Sequence, residues 1–461
     1  MSFDFRALRS AIAGPVFAPD DAGYDHARSI WNGAIDRRPA VIAECLSPDD
    51  VAAALAFARD YELEVAVRGG AHGYSGAAVC DGGMMINLGV MNSVVVDPVG
   101  GTARVGGGAT IAEMDAATQA YGLAVPSGII SDTGVGGLTL GGGMGWLTRM
   151  YGLTIDNLVS AQVVLADGRI VRASDSEHPD LFWALRGGGG NFGVVTEFEY
   201  RTHELGPEVH VGLFFWPLTD GAAVLHLVRE FIPRMPPRSG VLVAAGLSAP
   251  PEPFVPAHYH FVRGHALIVA GFGTAEEHAE MVAPIRSALS PLFEFVSPTP
   301  FTGLQSMLDA VAPWGIYGYQ KALDLDDFSD PVIAVLTDQA GKKTSPLSYL
   351  PIYTLDGAFT DVGADDTAFG GARTAHYVCN MAAAAPDAEV LAADTAWVHS
   401  TWEALWPFAA DPGGYINFMT EAGEDRVRAS YGPAKYAKLV DIKTRYDPEN
   451  VFHGNTNIEP G

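Results

Sequence analysis

The sequence predicts an α+β protein in two parts. Three observations lead there. The chain has 461 residues, too many for one small domain. Up to about residue 204, short apolar runs alternate with short helical stretches, and glycines gather in clusters. From about 205 the glycine clusters almost vanish and prolines multiply (Pro233, Pro236, Pro237, Pro250, Pro251, Pro253, Pro256), while longer strands and helices take over. A hydrophobic content of 48% with 18% charged residues supplies a filled core.

Each element has its own signal. Ser47 caps the first clear helix, Pro48 takes its first position, and Asp49 and Asp50 complement its dipole ahead of "VAAALAFARDYEL". "EVAVR" reads as a short buried strand, and "GGMMINLGVMNSVVVDP" and "GTARVGGG" supply more. "TIAEMDAATQAYG" is a helix closed by Gly122 as a left-handed cap. "LVSAQVVLADGRIVRAS" is a hairpin turning at Asp167-Gly168. "HPDLFWALRGGGG" is a helix halted by glycines, and "FGVVTEFEYRTHEL" is a strand. Further on, "SYLPIYTLDGAF" fits a strand with Tyr349 and Tyr353 on one face. The last helix, "PAKYAKLVDIKTRY", opens at Pro433 and stops before Asp447-Pro448. There is no internal repeat.

Charge and cysteine usage exclude several functions. With 28 basic against 54 acidic residues the net charge is −26, which repels nucleic acid and anionic membranes, so neither is expected as a partner. Cys45, Cys80 and Cys379 are too far apart for a disulfide scaffold or a zinc knuckle, and no metal is expected. The N-terminus lacks the pattern of a secretory signal, and no run of about 18 uncharged apolar residues occurs. A cytoplasmic location is the resulting expectation.

Glycines come in groups at 69–70, 106–108, 136–137, 141–145 and 187–190. They serve either as ordinary loop residues or to let backbone N–H groups approach an anion such as a pyrophosphate. "LGGGMGWLTRMYG" fails the dinucleotide fingerprint, because no third glycine follows Gly143 and Gly145 at the right spacing.

The succession of "VRGGAHGYSG", "GVGGLTLGGGMGWLTRMYGL", Asp156-Asn157, "DLFWALRGGGGNFGVVTEFE" and the terminal "YGPAKYAKLVDIKTRYDPENVFHGNTNI" resembles the FAD-linked oxidases of the vanillyl-alcohol-oxidase superfamily. The likeness is to the berberine-bridge-enzyme-like branch, and within it to bacterial members with a single flavin linkage, the nicotine-oxidase type among them. It spans the first two hundred residues and the last fifty. It implies a two-lobed FAD-binding domain of the PCMH type, residues 1–204, completed by a C-terminal segment, 412–461. Residues 205–411 would form a substrate domain, an antiparallel sheet covered by helices, with the flavin at the junction.

The resemblance also implies residue roles. FAD would be bonded through its 8α-methyl group to His72, in the midst of "RGGAHG". Many relatives add a cysteine bond at a position held here by Ile130, so attachment is expected through His72 only. Leu138 stands where many relatives have histidine. Arg68, Gly69, Gly70, Gly73 and Gly76 belong to a first FAD loop, and Gly128, Gly134, Gly137 and Gly142 to a second. Gly190, Asn191 and Val195 form a third, with Asn455 and Asn457 in the tail.

In such an enzyme the flavin accepts a hydride from a C–H bond while a protein group takes a proton from the neighbouring O–H or N–H. Tyr415, in "GGYINF", matches an active-site tyrosine of relatives and could act as base if a cation lowered its pKa; otherwise it is a ring packed at the junction. Tyr353 and Asp356 are further catalytic candidates, and Thr354 lies between them; which of them faces the flavin turns on a one-residue register. Tyr349, Phe418, Trp314 and Tyr319, with Tyr317, could line a pocket for a flat substrate or simply pack a core. The expected substrate is an aromatic or polycyclic alcohol, phenol or amine rather than a plain sugar. Three activities follow: an oxidase returning electrons to molecular oxygen, a dehydrogenase with another acceptor, and a flavin-binding protein without turnover. Small side chains from Thr133 to Val135 would leave oxygen a path to the flavin. Oligomeric state is open.

Overall fold

The computed structural model describes residues 5–421, 423–454 and 456–461. Its first small sheet carries Val16–Phe17, Val41–Glu44, Met84–Asn87 and Val65–Arg68 side by side in that order. The last three run parallel, which requires a crossover, and the helix Pro48–Asp60 provides it. Ser47 accepts a hydrogen bond from the Asp50 amide (3.2 Å), as its sequence position predicts. Val51, Ala54, Leu55 and Ala58 lie at helical spacing and are buried with Val41, Val65 and Met84.

A five-stranded antiparallel sheet follows: Val94–Asp97, Thr102–Gly106, Val194–Arg201, Leu158–Val164 and Ile170–Ser174 in spatial order. Its last two strands are the expected hairpin, with Gly168 at φ +87° in the turn. The helix Glu424–Tyr446 returns from the far end of the chain to this sheet's core. Its Tyr431, Leu439 and Ile442 are buried in one cluster with Phe182, Trp183 and Phe198. The helix is broken at Gly432 (φ 70°), so the portion that begins at Pro433 is the predicted last helix, preceded by an extra turn and more.

The second part is a seven-stranded antiparallel sheet. Its order is Phe293–Pro300, Glu208–Pro217, Arg263–Gly271, Ser239–Ser248, Leu350–Leu355, His376–Ala385 and Tyr317–Leu325. Both faces are covered. Phe214 and Trp216 pack under the helices Gly221–Phe231 and Asp330–Ala340. The alternate residues Leu213 and Phe215 share a core with Ile129, Trp146 and Leu147 of the first part. Each such large side chain taken from water contributes about 1.5–3 kcal/mol, so the sheet is fixed against the first part as firmly as against its own helices. That double burial explains why strands such as "GLFFW" read as continuous apolar runs rather than alternating ones.

Candidate active site

A cavity of about 530 Å³ lies where the glycine loops of the first part meet the strand Leu350–Leu355 and its neighbours. Its lining includes Gly69, Gly70, Gly73, Gly128, Gly134, Gly136 and Gly137, with Gly189 and Gly190. Side chains are excluded here for a measurable reason. A Cβ on Gly70 would stand 2.3 Å from Gly134 Cα, and one on Gly134 would stand 2.3 Å from Gly70 N. The two loops touch backbone to backbone, which only glycine allows. At Gly137 the space beside the missing Cβ is open, and amides in the first turn of the helix Val135–Gly141 have no acceptor within the helix. A long flat group ending in a pyrophosphate fits such a bare cradle.

His72 lines the same cavity. Its ring stacks on Trp31 (centroids 4.7 Å apart, 24° between planes), and Trp31 is itself pinned by its Nε1–H to Ala312 O (2.7 Å). His72 Nε2 stands 3.2 Å from Asp132 Oδ1. Asn32 ties the parts together: its Nδ2 donates to Tyr74 O (2.8 Å) and Gly318 O (2.9 Å), and its Oδ1 accepts from Gly318 N (3.0 Å).

The opposite wall is aromatic. Tyr349, bridged to Ala382 just before the strand Leu350–Leu355, and Pro351 and Tyr353 within it keep the alternation and all line the cavity, which settles the register. Asn380, Ala382 and Gln320 share that face on the neighbouring strands. Phe418 lies 5.4 Å from the Tyr353 ring and meets Tyr415 edge-on at 4.9 Å. Tyr74 completes the wall. An amide chain backs it: Asn380 Nδ2 donates to Gln320 Oε1 (3.0 Å), and Gln320 Nε2 donates to Asn417 O (3.1 Å).

Tyr415 is buried, and its phenolic oxygen accepts from Gly143 N (2.8 Å) and Asn417 Nδ2 (2.9 Å). Burial pushes its pKa up to about 12 against the pull of those two donors, and no cation takes part. The lowered pKa that a base would need is therefore not met, because the group sits among rings and amides rather than beside a positive charge. Burial also raises Tyr349 to about 12 and Tyr353 well above its ordinary value. No carboxylate and no lysine belong to the described lining of this cavity.

Several expected site residues lie elsewhere. Asp356 is held by Arg149 Nη1 (2.5 Å) outside the cavity, so it is a tie between the parts and not a base over the flavin. Thr354 is outside the lining of the cavity. Trp314 is 45% exposed and outside the lining. Tyr319 is turned toward His399 (3.2 Å) and Glu421 (3.2 Å), on the helix side of the sheet, because residue 319 alternates with the cavity-facing Gln320. Tyr317 is likewise outside the lining. Val135 faces the core rather than the cavity, which leaves Thr133 and Gly134 at the wall.

Among the expected FAD contacts, Val195 and Gly190 join the lining, whereas Arg68, Gly76, Gly142, Asn191 and Asn457 do not. Gly76 (φ +71°) makes a turn whose carbonyl accepts from Arg37 (2.9 Å). Gly142 (φ +138°) leaves room for the Tyr415 and Phe369 rings. Asn191 clamps the tail, donating to Gly188 O (2.8 Å) and Thr456 O (3.1 Å) and accepting from Ile458 N (3.1 Å). Asn455 lies outside the described residues. Trp31, Tyr74, Asp132, Asn380 and Asn417 were not singled out in the sequence. Tyr74 and Asn417 sit within motifs already noted, whereas Trp31 and Asp132 carry no local signal.

Residues 39–174 match the family model described as an FAD binding domain, and residues 414–459 match berberine and berberine like. The chain is 30% identical to the (R)-6-hydroxynicotine oxidase of Paenarthrobacter nicotinovorans over 98% of its own length and 97% of that protein's. It belongs to the berberine-bridge-enzyme-like FAD-linked oxidoreductases. Another relative in this family, the glucooligosaccharide oxidase of Sarocladium strictum, is 30% identical over 96% of this chain and 91% of its own. The solved structure of 6-hydroxy-D-nicotine oxidase from Arthrobacter nicotinovorans superposes with a TM-score of 0.85 at 28% identity, covering 98% of each chain. This berberine-bridge-enzyme-like protein is thus an FAD-dependent enzyme, and the glycine cradle is where its residues fit the cofactor. No described helix is long and apolar enough to cross a membrane.

Proposed function

We propose that this enzyme is an oxidase that removes hydride from a C–H bond next to the nitrogen or oxygen of an aromatic or polycyclic amine or alcohol. FAD is attached through His72 alone, and molecular oxygen takes the electrons to give H2O2. The observation that carries the reading is one cavity lined at once by His72 within a glycine cradle and by Tyr74, Tyr349, Tyr353 and Phe418. Bound FAD supplies the two-electron acceptor. Residues 1–204 and 412–461 would hold it, and residues 205–411 would present the substrate.

The aromatic wall favours a flat apolar substrate over a sugar, whose hydroxyls would need many polar partners. The lining favours an amine first. No carboxylate lines the cavity, and burial raises the phenols of Tyr415 and Tyr349 to about 12 and that of Tyr353 well above its ordinary value, so apart from His72, which carries the flavin in this reading, no described side chain there takes a proton readily at neutral pH. A neutral amine can lose hydride without a base, whereas an alcohol has a proton to shed. Tyr415, with Gly143 N and Asn417 Nδ2 both aimed at its oxygen, keeps its own O–H for the substrate. Attachment through one residue is supported by the cysteines: Cys45, Cys80 and Cys379 are buried and none lines the cavity.

The test is an absorption spectrum before and after acid precipitation. Flavin should stay with the pellet in the wild type and move to the supernatant in His72→Ala. An anaerobic screen of aromatic amines and alcohols, read as flavin bleaching, followed by H2O2 detection in air, should find turnover among the amines. Bleaching without peroxide would favour the dehydrogenase reading.

A further inference from the structure

We infer that Asp132 is the positioning residue for attaching the flavin: it orients His72 and receives its proton as the covalent bond forms. This rests on the reading of His72 as the attachment point. His72 Nε2 and Asp132 Oδ1 are 3.2 Å apart, within ion-pair distance, both atoms are shut off from solvent, and neither has an aligned hydrogen-bond partner among the described residues. Two orphaned polar atoms facing each other beside the cradle have no structural explanation of their own, since burying them unmatched costs stability.

The placement of Asp132 is built, not incidental. Ser131 beside it donates from its amide (2.8 Å) and hydroxyl (2.6 Å) to Asp309 of the second part. Thr133 N closes the turn on Ile130 O (3.2 Å), and Ser131 O accepts from Ala112 N (2.8 Å). The Gly70–Gly134 contact brings this turn against the His72 loop, two residues from each of the facing groups. Trp31 fixes the imidazole plane from the other side.

The chemistry follows from which nitrogen is engaged. A carboxylate at Nε2 holds the proton there and leaves the Nδ1 lone pair bare. In the attachment step, Nδ1 forms a bond to the 8α carbon of the flavin. One proton leaves that carbon, and the other leaves Nε2 for Asp132. The electron pair of the broken C–H bond passes through the ring system to dioxygen, which takes up both protons and departs as hydrogen peroxide. The Asp132 side chain keeps 35% of its surface in solvent, so its proton has an exit.

The experiment adds FAD to chains produced without riboflavin and follows acid-stable flavin and intact mass with time. In Asp132→Asn, total bound flavin should stay at wild-type level while covalent attachment slows about 100-fold, the scale of a positioned proton acceptor. Asp132→Glu, which keeps the carboxylate, should restore part of that rate. Attachment at the wild-type rate in Asp132→Asn would overturn the inference. So would equal slowing in Asp132→Asn and Asp132→Glu, which would make the residue a packing element. Acid-labile flavin in the wild type would instead refute the His72 linkage, and the role of Asp132 with it.

Discussion

Lys443 offers the sharpest test of how the tail is held in place. The residue is fully buried on the helix Glu424–Tyr446, and Asp447, one turn on, is fully buried too. All three ammonium protons are used: by Asp447 Oδ2 (2.6 Å), Asn191 O (2.9 Å) and Phe452 O (2.9 Å). Asp447 also accepts from the amides of Val451 (2.8 Å) and Phe452 (2.9 Å). One ion pair thus joins the last helix, the Asn191 loop and the tail, from which Phe452, Gly454 and Thr456 line the cavity. Lys443→Met keeps the aliphatic stem and strands a buried carboxylate with two orphaned carbonyls. Breaking such a pair from one side costs about 3–5 kcal/mol. A chain of 461 residues unfolding as a unit carries an entropy that converts this to a Tm lowered by about 3–5 °C. Differential scanning calorimetry of the flavin-loaded enzyme reads it, with flavin fluorescence rising at the same lowered temperature. The double variant Lys443→Met, Asp447→Asn removes the stranded charge and should recover part of the loss. A Tm shift below about 1 °C in Lys443→Met would refute the reasoning.

Three further outcomes are expected. Tyr415→Phe leaves Gly143 N–H and Asn417 Nδ2 without their acceptor, so stability should fall by about 1–3 kcal/mol in denaturant titration. Its kcat/KM should fall about tenfold, the worth of a lost hydrogen bond to the substrate, with the flavin still attached. In the wild type, burial raises the phenols of Tyr415 and Tyr349 to about 12 in the folded chain, above the ordinary tyrosine value of about 10. The unfolded chain therefore sheds these protons first, and stability present below pH 10 should be lost progressively as pH rises toward 12. A denaturation midpoint flat across that window would contradict their burial. Trp314→Ala should change KM by no more than about twofold, since Trp314 is 45% exposed and outside the cavity. A large KM effect would return it to the substrate site.

The amide chain behind the aromatic wall illustrates how far a sequence can be read. Gln320, Asn380 and Asn417 lie on three separate segments, and each alone is an ordinary polar residue. Tyr319 drew notice as an aromatic, yet the neighbouring Gln320 faces the cavity, because strand alternation assigns faces only once the register of the sheet is known. Asp356 reads in the sequence as a carboxylate beside a substrate-facing strand, but the strand ends at Leu355 and Arg149 draws the carboxyl away.

What the sequence determined by itself was whatever depends on neighbours along the chain. The Ser47 cap, the turn at Asp167-Gly168, the helix at Pro433 and the parity that puts Tyr349 with Tyr353 are local matters of dihedral preference and period. So are the ordered glycine motifs that mark the FAD-linked family, since each loop needs its bare backbone in its own few residues. Only the tertiary structure decided which distant groups meet. It set His72 against Asp132 and Trp31, and it placed Tyr415 where burial raises rather than lowers its pKa. The reason is that pairing across loops and the loss of solvent around a group are set by packing between segments up to hundreds of residues apart, and no local pattern records them.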